Sequence, residues 1–158
     1  MSKRDLKKYL NELDKQQLEE QIIALYDKFL PVKTYYNFVF NPNENKLVQD
    51  CKLKVSNEYF PVRGKRPKAR RSVAQKFIKH FIVLGVEPFI IADVMLYSIE
   101  IAQTFSSEKD IKQELFYKSL LNSFEQAISF MIANGVLYEF KNRVEAIRTE
   151  AESQEWFN

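Results

Sequence analysis

RPKARRSVAQKFIKHFIVLGVEPFIIADVMLYSIEIAQTF, residues 66–105, is the stretch whose reading decides how this chain folds. Placing successive residues about 100° apart gathers Lys68, Arg71, Ser72, Gln75, Lys76, Lys79 and His80 on one half of a helix. Val73, Ala74, Phe77, Ile78, Phe81, Ile82 and Leu84 fill the other half. A helix over Lys68–Leu84 follows, closed by Gly85 as a left-handed cap. Pro88 suits the first turn of a second helix reaching Phe105. That helix is apolar on most sides, as a buried one is, apart from a stripe of Asp93, Tyr97, Glu100 and Thr104.

The same period extends in both directions. Ser2 caps a short helix with Leu6, Tyr9, Leu10 and Leu13 on one face, and Asp14 with Gln17 opens a second carrying Leu18, Ile22, Leu25, Tyr26 and Phe29. Pro31 ends it, and Val32 to Phe40 reads as a short buried helix. Asn41-Pro42-Asn43-Glu44 opens another that runs to about Tyr59. Phe60 to Pro67 is a loop rich in turn residues. Beyond Phe105, Ser106 or Ser107 begins a long helix to Asn134 that Gly135 stops, and a last helix spans about Leu137 to Gln154. The expectation is an all-α single domain of seven or eight helices packed as antiparallel hairpins or a bundle. Its parts are N-terminal helices (1–60), a basic Pro/Gly loop (61–67) and a four-helix C-terminal part (68–154).

Charge is unevenly spread. Between Glu58 and Glu87 there is no acidic residue, yet Arg63, Lys65, Arg66, Lys68, Arg70, Arg71, Lys76 and Lys79 all lie there. Without those eight, 16 basic groups face 21 acidic ones, and the formal charge changes from +3 to −5. A mildly acidic body with one positive block offers its partner of opposite charge a defined landing place. Guanidinium forks and helix N-terminal amides both donate to phosphate oxygens. The competing reading is a face that is merely solvated or paired within the chain. Few aromatics lie among these cations, so binding to nucleic acid would be made to phosphates rather than by stacking on bases.

RPKARRSVAQKFIKHFIVLGV, IEIAQTF (Ile99 to Phe105) and FYKSLLNSFEQA (Phe116 to Ala127), with the opening SKRDLKKYLNEL, resemble a family of small bacterial proteins catalogued only as a domain of unknown function. The resemblance covers essentially the whole chain. It implies a self-contained, cytoplasmic, helical protein and transfers no catalytic residue.

Several chemistries lack their residues. One histidine, His80, and one cysteine, Cys51, far apart in sequence, build neither a Cys/His zinc site nor a carboxylate-bridged di-iron bundle. Gly64, Gly85 and Gly135 make no Gly-rich phosphate loop, and no nucleophile elbow is present. No cofactor, metal ligand or catalytic residue is assigned. The lone cysteine excludes an internal disulfide and fits a reducing compartment. The opening residues hold no signal-peptide run, and Asp93 and Glu100 interrupt the densest apolar stretch, so the expected setting is the cytoplasm, away from membranes.

Asp93 and Glu100 on a buried helix need counterions, and Arg70, on the apolar side of its own wheel, is the natural candidate with Arg71 beside it. The functional reading of the same stripe is a polar cleft with Tyr97 serving acid–base or metal chemistry. The N-terminal leucines with Lys3, Arg4, Lys7 and Lys8 are similar to helix–loop–helix DNA-binding modules, without the glycine-containing loop those carry. Trp156 and Phe157 should dock on the core or on a second subunit. The leading expectation is non-catalytic binding of nucleic acid or another polyanion through Arg63, Lys65, Arg66, Lys68, Arg71, Lys76 and Lys79. A protein-interaction or self-assembly module whose basic face meets an acidic partner is the alternative, and an enzyme with a carboxylate site at Asp93 and Glu100 the third. Oligomeric state is left open.

Overall fold

Eight α-helices and one 3₁₀ helix, with no strand, account for the regular structure of residues 1–157, which a computed structural model of the protein describes. They are α1 (Lys3–Asn11), α2 (Lys15–Lys28), α3 (Leu30–Phe40), α4 (Glu44–Tyr59), α5 (Arg71–Leu84), α6 (Pro88–Glu108), α7 (Glu114–Ala133), the 3₁₀ turn Leu137–Phe140 and α8 (Lys141–Ser153). The all-α fold expected from the periodicity is what the chain adopts. Its packing divides into two compact units, Met1–Asn43 and everything from Glu44 on.

The N-terminal unit is shaped by its caps. Ser2 and Asp14 each accept from the backbone two or three residues into their helix, and Asp5 and Gln17 return the bond in reciprocal capping boxes. Pro31 lies in the first turn of α3 instead of merely ending α2; Phe29, extended at φ −120°, is the joint between them. The buried helix expected over Val32 to Phe40 is helical, but no residue of α1, α2 or α3 is buried.

In the second unit α6 is the axis. It packs against α4, α5, α7 and α8, and this explains why eleven of its residues, from Ile91 to Ser106, are buried. Its best 18-residue window has a mean hydropathy of 1.3, long and apolar enough by composition to cross a membrane, and 61% of that window is covered by neighbouring helices. Gly85 and Gly135, at φ 76° and 67°, end α5 and α7 as left-handed caps. Val86 and Val136 then donate back to Phe81 and Met131.

Several boundaries differ from the sequence reading: α7 starts at Glu114 instead of Ser106 or Ser107, and α4 at Glu44 instead of Pro42. α5 starts at Arg71 instead of Lys68, because Ala69 has φ +50° and the backbone amides of Lys68 and Ala69 donate to the carbonyl of Glu58. α6 runs past Phe105 to Glu108 because the Ser106 hydroxyl, buried, donates to Gln103 O and Gln154 Oε1 instead of capping a new helix. The last helix is preceded by its own 3₁₀ turn. The C-terminus is fastened by the same knot: Trp156 is buried and its Nε1 donates to Gln154 Oε1 at 3.0 Å, while Gln103 donates to Ile147 O at 2.9 Å. Trp156 docks as expected, whereas Phe157 is exposed.

Candidate polyanion-binding surface

The loop between α4 and α5 takes its shape from backbone and charge together. Arg63 and Gly64 adopt successive left-handed conformations, φ 58° and 70°, which turn the chain back sharply. At the far end Glu58 acts as a clasp. Its carbonyl accepts from Lys68 and Ala69, and its carboxylate accepts from the Arg70 backbone amide, from Nε at 3.1 Å and from Nη2 at 2.8 Å. The Arg70 hydrogen bond holds the Glu58 carboxyl below its ordinary range, against a smaller upward push from burial. Asn57, Glu58, Pro61, Lys65, Arg66 and Lys68 thus line a shallow cavity of about 230 Å³.

Arg63, Lys65, Arg66 and Lys68 are exposed on this loop, and Lys76 and Lys79 are exposed on α5. At about 1.5 Å per residue, Lys79 stands roughly 12 Å along the helix from Arg71. Of these, Arg63, Lys65, Arg66, Lys76 and Lys79 make no side-chain hydrogen bond or ion pair among the described residues. Arg71 differs. It is half-buried, and its guanidinium donates to Ser123 Oγ and, at 3.5 Å, to Gln126 Oε1, tying α5 to α7. It is a packing residue at the edge of the surface. Lys54, on α4, was not part of the expected set. Its Nζ lies 5.6 Å from the Phe77 ring and adds a cation beside α5, an addition the charge pattern does not announce because Lys54 precedes the acid-free stretch and belongs to the neighbouring helix. The apolar half of α5 is also less covered than its wheel predicts: Ala74, Ile78, Phe81 and Leu84 are buried, but Ile82 is exposed, as is Val83.

The expectation that Arg70 or Arg71 neutralises Asp93 and Glu100 is corrected. Arg70 lies outside α5, as its N-cap residue, and turns to Glu58; Arg71 turns to α7. The counterion of α6 comes from the start of α8. Arg143 Nη1 lies 2.6 Å from Asp93 Oδ1, Nε and Nη2 lie 2.8 and 3.0 Å from the two Glu100 oxygens, and Nη2 also reaches Asp93 O. Lys52, on α4, takes the other Asp93 oxygen at 2.7 Å and sits 5.1 Å from the Tyr97 ring. Burial would raise the Asp93 carboxyl, but the hydrogen bonds from Lys52 and Arg143 outweigh it and hold it below its usual value. Arg143 is in turn held more firmly protonated, first by Glu100.

With both oxygens of each carboxylate engaged by cations, the stripe is an internal ion-pair network. No cluster of three or more His, Cys, Asp or Glu residues able to hold a metal ion occurs among the described residues. His80 is exposed at the edge of the basic face, beside the Phe81 ring. Cys51 is fully buried, and burial pushes its thiol up to about 12, which leaves it protonated as a packing group.

No curated protein and no solved structure matches this chain. The model of one family does match it, over residues 1–158, and the chain therefore belongs to that family of unknown function, DUF6155.

Proposed function

We propose that this is a non-catalytic binding protein whose loop and α5 face take a polyanion, with the phosphate backbone of nucleic acid as the leading partner. One observation carries the reading. The basic block contains no acid of its own, and of the two acids that bound it Glu58 is already consumed by Arg70, while Glu87 lies past the C-terminal end of α5. The five unpartnered cations and Lys54 therefore present surplus charge, and α5 begins with no side-chain cap on its N-terminal amides. The same reading places the protein in a reducing, cytoplasmic setting, consistent with a single, buried thiol.

Fluorescence anisotropy with generic single- and double-stranded oligonucleotides tests it. A protein making about 4–6 phosphate contacts should lose about two to three orders of magnitude in affinity between roughly 50 and 200 mM salt. Reversing Arg66, Lys76 and Lys79 to glutamate should abolish binding with helical content unchanged. Absence of binding at the low-salt end refutes the reading. Exposed Ile82 and Val83, on the same helix as Lys79, favour a second occupant, an acidic protein surface that would also cover apolar area. Heparin or RNA displaces a polyanion ligand competitively, and such a protein partner would resist moderate salt better.

A further inference from the structure

The N-terminal unit has an apolar surplus that its own three helices do not cover. Between Leu6 and Phe40 ten large apolar side chains are exposed, among them Ile23 at 60%, Leu30 at 74% and Phe40 at 83%. Between α2 and α3 lies an open hollow of about 310 Å³ lined by Ile22, Ile23, Tyr26, Tyr36 and Phe40. The helices themselves are well specified, by two capping boxes, a Gln21–Tyr9 hydrogen bond of 2.8 Å joining α1 to α2 and the Lys33 ammonium over the Tyr26 ring. Units of roughly 40 residues usually need disulfides, metals or association to be stable. This one contains no cysteine and no metal-holding cluster among the described residues.

Charge says what the association is. α1 carries Lys3, Arg4, Lys7 and Lys8 against Asp5, a surplus of three positive charges. Residues 12–28 carry Glu12, Asp14, Glu19, Glu20 and Asp27 against Lys15 and Lys28, a surplus of three negative ones that equals the positive surplus of α1. Neither set pairs with the other inside the chain: the one ion pair in this unit is Lys15–Glu19, within α2. A basic first helix followed by an equally acidic segment, Glu12 to Asp27, lets two copies meet with opposite charges facing across a two-fold axis. Area agrees with this. Counting only the α2–α3 stretch, the exposed parts of the eight large apolar side chains from Ile22 to Phe40 come to roughly 600 Å². Each partner of a standard interface contributes roughly 800 Å².

We propose that the N-terminal unit is a homodimerisation module: two copies pair through their α2–α3 apolar faces, with α1 of each chain against the acidic segment of the other. Sedimentation equilibrium on the full chain should show a dimer with a Kd of about 1 µM or tighter. Ile23→Glu with Phe40→Glu should give a monomer whose Trp156 emission is unchanged, since both positions are exposed and Trp156 reports on the other unit. Lys3, Lys7 and Lys8 reversed to glutamate should weaken the dimer at least about tenfold at low salt. Mixing that chain with one carrying Glu19→Lys and Glu20→Lys should restore a heterodimer. A wild-type monomer at about 100 µM, or a dimer untouched by Ile23→Glu and Phe40→Glu, overturns the proposal. Mixed chains that fail to pair overturn the placement of α1.

Discussion

Replacing Arg143 with methionine keeps much of the side chain's length while deleting every donor that Asp93 and Glu100 share. Asp93 would retain Lys52 at 2.7 Å, whereas Glu100 would lose both of its contacts, at 2.8 and 3.0 Å. The magnitude follows from exposure. An exposed ion pair contributes about 0.2–1 kcal/mol, and breaking a buried one costs about 3–5 kcal/mol. The side chains here are 25–36% exposed, between those limits, and the retained Lys52 limits the damage. The expected loss is about 2–3 kcal/mol, or roughly 6–12 °C in Tm for a unit of this size.

Trp156 is the only tryptophan and is buried in this unit, so its fluorescence follows the relevant transition by itself. Glu100→Gln should cost about 1 kcal/mol, and combining it with Arg143→Met should give a coupling energy of about 1–2 kcal/mol. Arg70→Met is the control. Its side chain is 54% exposed, but Glu58, only 12% exposed, would keep just the Arg70 backbone amide as a donor to its carboxylate, so it should cost about 1–2 kcal/mol, less than the loss of Arg143 from two carboxylates. An Arg143 variant within about 0.5 kcal/mol of wild type, or an Arg70 variant more damaging than it, would refute the assignment of the counterion.

Two further outcomes are expected. Trp156 emission should be blue-shifted in the native state, and deleting residues 156–158 should destabilise by about 3 kcal/mol or more, because a fully docked indole and its bond to Gln154 are lost; water-like emission with an unchanged Tm would mean the tail is not docked. The Asp93 and Glu58 carboxyls both titrate below their unfolded values, so the stability they contribute is complete above about pH 4.5 and is lost as pH falls through the folded values. Asp93→Asn should therefore flatten the acid limb of a stability–pH curve measured by urea titration, and a limb of unchanged slope would count against the network.

The helical fold was legible because hydrophobic period, caps and glycine stops all agreed, as at Asp14–Gln17 and at Gly85. Boundaries failed where a tertiary bond overrode a local signal. Ser106 looks like a cap until Gln154 is brought to it, and Lys68 looks helical until Glu58 captures its amide. The need of Asp93 and Glu100 for counterions was readable from their place on an apolar helix, but the identity of the counterion was not. Arg143 is 50 and 43 residues away from them, and its own segment, KNRVEAIRTE, looks like an ordinary solvated helix. The exposure of α1–α3 was equally invisible, since an amphipathic stripe predicts that a face will be covered without saying by what.

The pattern of charge satisfaction bears on function more directly than the charge count does. Folding brings cations to three half-buried acids of the second unit: Lys52 and Arg143 to Asp93 and Glu100 on α6, and Arg70 to Glu58. If the basic block existed to balance the acidic excess elsewhere, its members would be the ones recruited. They are not. Asp93 and Glu100 are neutralised from α4 and α8, and the block gives up only Arg70 to its own clasp and Arg71 to neutral partners on α7. Lys68 lies within the field of Glu58, and the remaining five face solvent. Like charges held together in this way repel, and the repulsion is relieved only by counterions or by a ligand that displaces them. A loop locked at its base by Glu58 and turned at Arg63–Gly64 keeps that arrangement in place before any partner arrives, which lowers the ordering cost of binding. Loosening the clasp should therefore weaken polyanion binding even though Glu58→Gln removes a negative charge from the site.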